Sequence, residues 1–262
     1  MTSGGQLESG TGCRRFSALG ARVHRGSGID VLMQDLGAAL ADSQQDEPIL
    51  MLGGGQPATI PALQQVWRDL MAWLLEREPA RFDRMLGIYD PQQGNPQFIE
   101  ALADLFNARY GWSLRPENIA ITNGGQTAFF YLFNLLAGTA EDGRLRRIVF
   151  PLMPEYIGYA ELGLQPGMLE GVRARIERRD GPMFKYLIDF DALPRGDDIA
   201  AYCVSRPTNP TANVMCDGEI RRLHGIARDN GSLLLIDNAY GTPFPNIVFR
   251  EDASPFWDEG VV

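Results

Sequence analysis

From residue 118 onward the chain alternates short apolar runs with helical segments, and two of those runs, IAAYCVS at 199–205 and SLLLID at 232–237, are almost wholly apolar. A strand that is apolar on both faces must be covered on both, the condition of a parallel sheet between two helical layers. Further strand-like runs are NIAIT at 118–122, RIVFP at 147–151 and a segment from Tyr186 to Ile188. Between them fall a helix from about Gln126 to Ala137, a helical segment near Tyr156 and a helix from Asp217 to Asp229. The pattern predicts an α/β fold, with a mostly parallel sheet and helices on both faces.

Upstream, residues 1 to 28 are rich in Gly, Ser and Arg without periodicity and read as a flexible N-terminal arm. Helical periodicity begins near Ile29. After the GGGQP loop at 53–57, a stronger amphipathic segment runs from Pro61 to about Glu78. YDPQQG at 89–94 leads to Asn95 and Pro96, a cap and first-turn pair that opens the helix PQFIEALADLFNARY. The chain thus divides into 1–28, 29–88 and 89–262.

Composition removes several function classes. With a net charge of -9 and Lys185 as the single lysine, no basic stripe is available to grip a phosphate backbone, so nucleic acid is not an expected partner. No apolar run is long enough to span a membrane and the first 20 residues lack a signal peptide's order, which points to a soluble, cytoplasmic protein. Cys13, Cys203 and Cys216 are an odd number without CxxC spacing, so neither a disulfide framework nor a metal site is expected. His24 and His224 read as solvated or structural.

Ligands of open α/β sheets bind beyond the carboxyl ends of the strands, and three such loops carry chemistry. In TNGGQTA at 122–128, Gly124 and Gly125 let backbone N–H groups turn inward where a helix begins, a cradle for phosphate, although a glycine pair there is also a common plain turn. In SRPTNPTAN at 205–213, Asn209 is held between two prolines; it either donates to a ligand oxygen or supplies turn chemistry. In LLLIDNAYG at 233–241, Asp237 ends an apolar strand and needs a partner, because an unpaired buried charge costs several kcal/mol or more. Alone it reads as a cap or an ion pair. Together the three describe a pocket for an anionic ligand bearing a cationic nitrogen, the charge layout of pyridoxal 5'-phosphate.

With MLGGGQPATIP at 51–61, YDPQQG at 89–94, TNGGQTAFFYLFNLLAG at 122–138, PEYIGYAELG at 154–163 and IDNAYGTPFP at 236–245, the sequence resembles the fold type I, pyridoxal-phosphate-dependent aminotransferases, and within them the valine–pyruvate (alanine–valine) aminotransferases. The resemblance implies that Gly124, Gly125 and Gln126 bind the cofactor phosphate and that Tyr156 stacks on its ring. It implies that Asn209 and Tyr240 reach the ring's phenolic oxygen and that Asp237 pairs with its nitrogen. Tyr89 would reach the phosphate of a neighbouring subunit's cofactor, which implies a homodimer, and Gly54 and Gly55 would line the substrate side. Residues 29–88 would contribute to a small domain and a substrate loop, and 89–262 would form part of the cofactor-binding large domain.

Two departures accompany the resemblance. Ala212 stands where the family has glycine. The family's Ser-x-x-Lys segment, which supplies the lysine that anchors the cofactor, would fall beyond Val262, together with the C-terminal small domain. Lys185, in FKYLIDF, does not match it. The implied activity is amino-group exchange between amino acids and 2-oxo acids, valine with pyruvate giving alanine and 2-oxoisovalerate, through the pyridoxal and pyridoxamine forms. This chain alone is expected to be inactive. The alternatives are another fold type I lyase or synthase, or a non-catalytic cofactor-binding fragment.

Overall fold

The structure is a computed structural model that describes residues 16–23, 28–42, 59–241 and 252–262. Its contacts divide the chain into two units, Met1–Gly54 and Gly55–Val262. The first contains α1 (Ala18–Val23) and α2 (Gly28–Asp42). α1 lies inside the stretch expected to be a flexible arm. The Ser17 Oγ accepts from the Gly20 N–H at 3.0 Å, a helix-initiating bond that the Gly- and Arg-rich composition hides.

The second unit opens with α3 (Pro61–Arg77) and α4 (Pro79–Gly87), each beginning at a proline whose missing N–H costs nothing in a first turn. α5 (Pro96–Tyr110) is capped as its sequence predicts: the Asn95 side chain accepts from the Phe98 N–H at 3.1 Å, and Gly111 closes the helix at a φ of 68°. α6 (Gly125–Leu136) and α7 (Asp217–Asp229) flank the sheet.

The sheet runs β1 (Gly138–Thr139), β2 (Leu145–Met153), β6 (Ile199–Ser205), β7 (Leu233–Asp237), and β3 (Leu169–Arg173) also pairs with β2. The β2–β3, β2–β6 and β6–β7 ladders are parallel; only β1 is antiparallel. All seven residues of β6 are buried, which explains its unbroken apolar run. Side-chain alternation divides the core in two. Tyr202, Val204 and Leu234 pack with Leu223 and Ala227 of α7; Ala201, Cys203 and Leu235 pack with Phe129 and Phe133 of α6. Helices therefore cover both faces, as expected.

Three local expectations change. NIAIT forms no strand. Residues 116–118 make a 3-10 turn, the Ile121 N–H donates to the Gln93 carbonyl at 2.8 Å, and the Gln93 amide donates to the Ile119 carbonyl at 2.6 Å, so loop contacts replace a ladder. The helical segment near Tyr156 is a 3-10 turn, Ile157–Glu161, with Tyr156 just before it. The strand near Tyr186 is β5 (Phe184–Leu187), which pairs antiparallel with β4 (Arg175–Arg178) in a separate two-stranded sheet.

Leu235 is fully buried between β6 and α6. Leu235→Ala is expected to lower unfolding free energy by about 2–5 kcal/mol in denaturant titration. The same truncation at the exposed Ile176 should cost roughly 0.5 kcal/mol or less.

Candidate functional site

Because β2, β6 and β7 are parallel, their carboxyl ends emerge at one edge. The register sets Ser205, last in β6, beside Asp237, last in β7, and Glu155 lies just beyond β2. Above these ends is a cavity of about 260 Å³ lined by Gly125, Gln126, Phe129, Tyr156, Tyr159, Ser205, Pro207, Asn209, Asp237, Ala239 and Tyr240. Six expected site residues, Gly125, Gln126, Tyr156, Asn209, Asp237 and Tyr240, therefore share one small chamber.

One wall is the start of α6. Its cap, Gly124, has a φ of 90° and a ψ of 165°, a backbone that favours glycine, and no side chain caps the helix. The first amides and the helix dipole thus make an anion-favouring end where Gly125 and Gln126 line the cavity. Gly124 shapes this turn without lining the cavity itself.

Another wall is Asp237. Its Oδ2 accepts from the Tyr159 hydroxyl and its Oδ1 from the Ala239 N–H at 2.8 Å. Burial, followed by Cys203 and Asp237, holds the Tyr159 hydroxyl far above the ordinary phenol range, so it remains a donor to the carboxylate. Asn209 Nδ2 donates to the Tyr240 hydroxyl at 3.4 Å, placing two polar groups side by side.

The Tyr156 ring stands edge-on to Tyr159, with centroids 5.4 Å apart. Gly158 sits behind it: a Cβ there would fall 2.8 Å from Tyr156 Cζ and 2.9 Å from Gln126 Oε1. The Gln126 amide also donates to the Gly158 carbonyl at 3.3 Å. This glycine therefore lets the aromatic wall and the α6 wall close together.

Tyr159 and Ser205 line the chamber, and Glu155 holds Ser205 from behind it, although their sequence context gives none of the three a role. The faint signal is polarity where none is needed: a glutamate between Pro154 and Tyr156, and a serine closing an otherwise apolar strand. Glu155 is buried. It accepts from the Ser205 N–H at 3.0 Å, the Ser205 hydroxyl at 2.5 Å and the Tyr156 N–H at 3.4 Å. Burial pushes its carboxyl up to about 7, with Asp237 adding to the rise, while the bonds from Ser205 and Tyr156 oppose it.

Several expected residues are not in the chamber. Tyr89 is fully exposed and does not line it. Gly54 and Gly55 lie outside the described residues. Lys185 is on β5, 3.8 Å from Glu219, and lines a separate cleft of about 660 Å³. Ala212 adopts the left-handed conformation expected of the glycine it replaces, with a φ of 53°, at a cost of about 1–2 kcal/mol. Its N–H donates to the Thr208 carbonyl at 2.7 Å, so the loop bearing Asn209 still closes. Among the described residues no cluster of His, Cys, Asp and Glu could hold a metal, and no helix is long and apolar enough to cross a membrane.

A parallel sheet with an acid at one strand end and glycine-started helix amides across the cavity is the layout that the sequence resemblance implies. The chain belongs to the aminotransferase class I and II family, whose model matches residues 48–248. It is 45% identical over 247 residues to the valine–pyruvate aminotransferase of Escherichia coli, covering 94% of this chain and 58% of that protein. Among solved structures it is similar to the valine–pyruvate aminotransferase of Salmonella typhimurium, with a TM-score of 0.72 and 43% identity over 89% of this chain and 55% of that one. A Psychrobacter arcticum protein assigned as an amino-acid aminotransferase gives a TM-score of 0.83 and 40% identity, covering 95% and 60%. The chain therefore spans a little over half the length of these relatives.

The raised Glu155 carboxyl has a consequence for stability. Its folded value, about 7, lies above its ordinary 4.5, so its contribution is full below pH 4.5 and is lost as pH rises through 7. Glu155→Gln lacks this loss. In paired denaturant titrations the variant should gain on the wild type between pH 4.5 and 7.5, by at most roughly 3 kcal/mol. A difference that does not vary with pH would contradict the assignment.

Proposed function

We propose that this chain holds pyridoxal 5'-phosphate in the cavity between α6 and β7, as the cofactor-binding part of an aminotransferase that exchanges amino groups between valine and pyruvate. The observation that carries the reading is the union, in one chamber of about 260 Å³, of the Gly125 and Gln126 end of α6 with the Asp237 carboxylate. The donor set fits the cofactor's chemistry. Helix-start amides suit a phosphate, an aromatic side chain suits a planar ring, Asn209 and Tyr240 suit a phenolic oxygen, and Asp237 suits a protonated ring nitrogen.

When bound, the cofactor supplies an aldehyde carbon that takes up the amino group and a ring that withdraws electrons from the substrate's α-carbon. The chain's own residues orient and polarise. Tyr159 and the Ala239 amide fix the Asp237 carboxylate in the cavity wall. Gly158 lets Tyr156 stand as a wall against Gln126.

The only lysine of the 262 residues lines a different cleft, so the chain brings no lysine amine to this chamber for proton transfer at the substrate. The residues of this chamber supply the binding and orientation of the cofactor. Amino acids and 2-oxo acids are the small-molecule partners, and the valine and pyruvate pair follows the Escherichia coli relative, a valine–pyruvate aminotransferase. The exposed Tyr89 is free to serve the site of a second copy in a cytoplasmic homodimer.

Titration with pyridoxal 5'-phosphate, followed by fluorescence quenching and by absorbance, tests this. The wild-type chain should bind, and Asp237→Ala should bind about ten-fold to a hundred-fold more weakly, the worth of one charge-assisted hydrogen bond. With valine and pyruvate added, the chain alone should form no alanine above the cofactor's background. Equal affinity in the two proteins would remove the assignment of Asp237, and enzymatic alanine formation would show that an amine other than a lysine of this chamber serves the reaction.

A further inference from the structure

Glu155 does not line the cavity, yet Ser205, which does, is bonded to it twice. The carboxyl grips the end of β6 through the Ser205 N–H and hydroxyl, and the start of the Tyr156 turn through the Tyr156 N–H. One acid thus ties together two walls of the chamber. The residue is 7% exposed, so its charge carries a desolvation cost that a neutral side chain would not.

The charge state of Glu155 decides what Ser205 offers the cavity. An ionised carboxylate accepts the Ser205 hydroxyl hydrogen, leaving only lone pairs of the serine oxygen to face inward. A protonated carboxyl donates to that oxygen instead and frees the serine hydrogen. The ionised form also sets a second negative charge behind Asp237, which stands beside Ser205 in the β6–β7 register. Both effects favour a cationic group at the Asp237 wall. By reciprocity, a cation bound there favours loss of the Glu155 proton.

We propose that Glu155 is a positioning residue of this site that acts through Ser205, and that binding of a ligand with a cationic ring nitrogen against Asp237 drives a proton from its carboxyl into solvent. The proposal rests on the cofactor reading above. The titratable groups that face Glu155 are Asp237 on β7, Tyr159 on the 3-10 turn and Cys203 on β6. Burial pushes the Tyr159 hydroxyl and the Cys203 thiol up, so both stay neutral near pH 7, whereas Glu155 titrates there.

The test is calorimetric titration of the 262-residue chain with pyridoxal 5'-phosphate at pH 7 in two buffers of different ionisation heat, which counts protons exchanged on binding. Affinities are followed from pH 5.5 to 8.5 for wild type, Glu155→Gln and Glu155→Asp. Titration of the cofactor's own groups is common to all three. Wild type should release roughly half a proton more than Glu155→Gln, as expected for a carboxyl near pH 7 that ionises on binding. Its affinity should climb more steeply with pH, and at pH 8 it should bind about ten-fold more tightly.

Glu155→Asp retains an acid, so it should recover part of the proton release, at a shifted pH, which a role in packing alone would not produce. If Glu155→Gln fails to fold, this shift in Glu155→Asp decides. Equal proton counts and parallel pH profiles in wild type and variants would overturn the proposal while leaving the cofactor reading intact. No binding by wild type at any pH would overturn both.

Discussion

The Asp237 carboxylate at the end of a buried strand is the constraint around which the site is arranged. A charge in that position must be met by donors, and the fold supplies them from two directions, the Tyr159 hydroxyl from the turn after β2 and the Ala239 amide from the loop after β7. Those donors hold the acid in place while leaving it in the cavity wall. The parallel β2–β6–β7 ladder then determines its company, because the carboxyl ends of all three strands open onto the same edge. A half-buried acid, a glycine-started helix and three tyrosines become one chamber through sheet register rather than through sequence proximity.

The end of β6 is held by several hydrogen bonds at once. Ser205 is bonded at its N–H and hydroxyl by Glu155, its carbonyl accepts from Thr208 Oγ1 at 2.9 Å, and the next residue's N–H donates to the Asp237 carbonyl at 2.8 Å. Just beyond, Arg206 is buried and anchored on the Met215 carbonyl, the Ser254 carbonyl and the Asp217 carboxylate. The loop bearing Asn209 therefore leaves a clamped strand end, which suits a residue whose value lies in where its amide points.

Much of this was legible in the sequence where local rules dominate. β6 and α7 begin and end where their apolar run and amphipathic pattern predict, and Asn95 caps α5 as an asparagine before a proline should. Asn209 and Asp237 were legible because chemistry-bearing loops follow β6 and β7, and Gly125 because a glycine pair opens α6, whereas Gln126, Tyr156 and Tyr240 gained their expected roles only from the family resemblance. NIAIT misled because alternation signals a strand only where a neighbour offers a ladder, and Gln93 takes up those backbone groups instead. Glu155, Tyr159 and Ser205 were hidden for a different reason: their roles come from partners 50 to 78 positions away, which no local pattern encodes.

In the proposed function Asp237 faces a protonated ring nitrogen. Nitrogen NMR of ring-labelled pyridoxal 5'-phosphate bound to this chain reads that proton directly. The bound nitrogen is expected to stay protonated well above the pH at which the free cofactor loses its proton, and Asp237→Ala is expected to abolish the difference. A bound nitrogen that titrates like the free one in both proteins would contradict it.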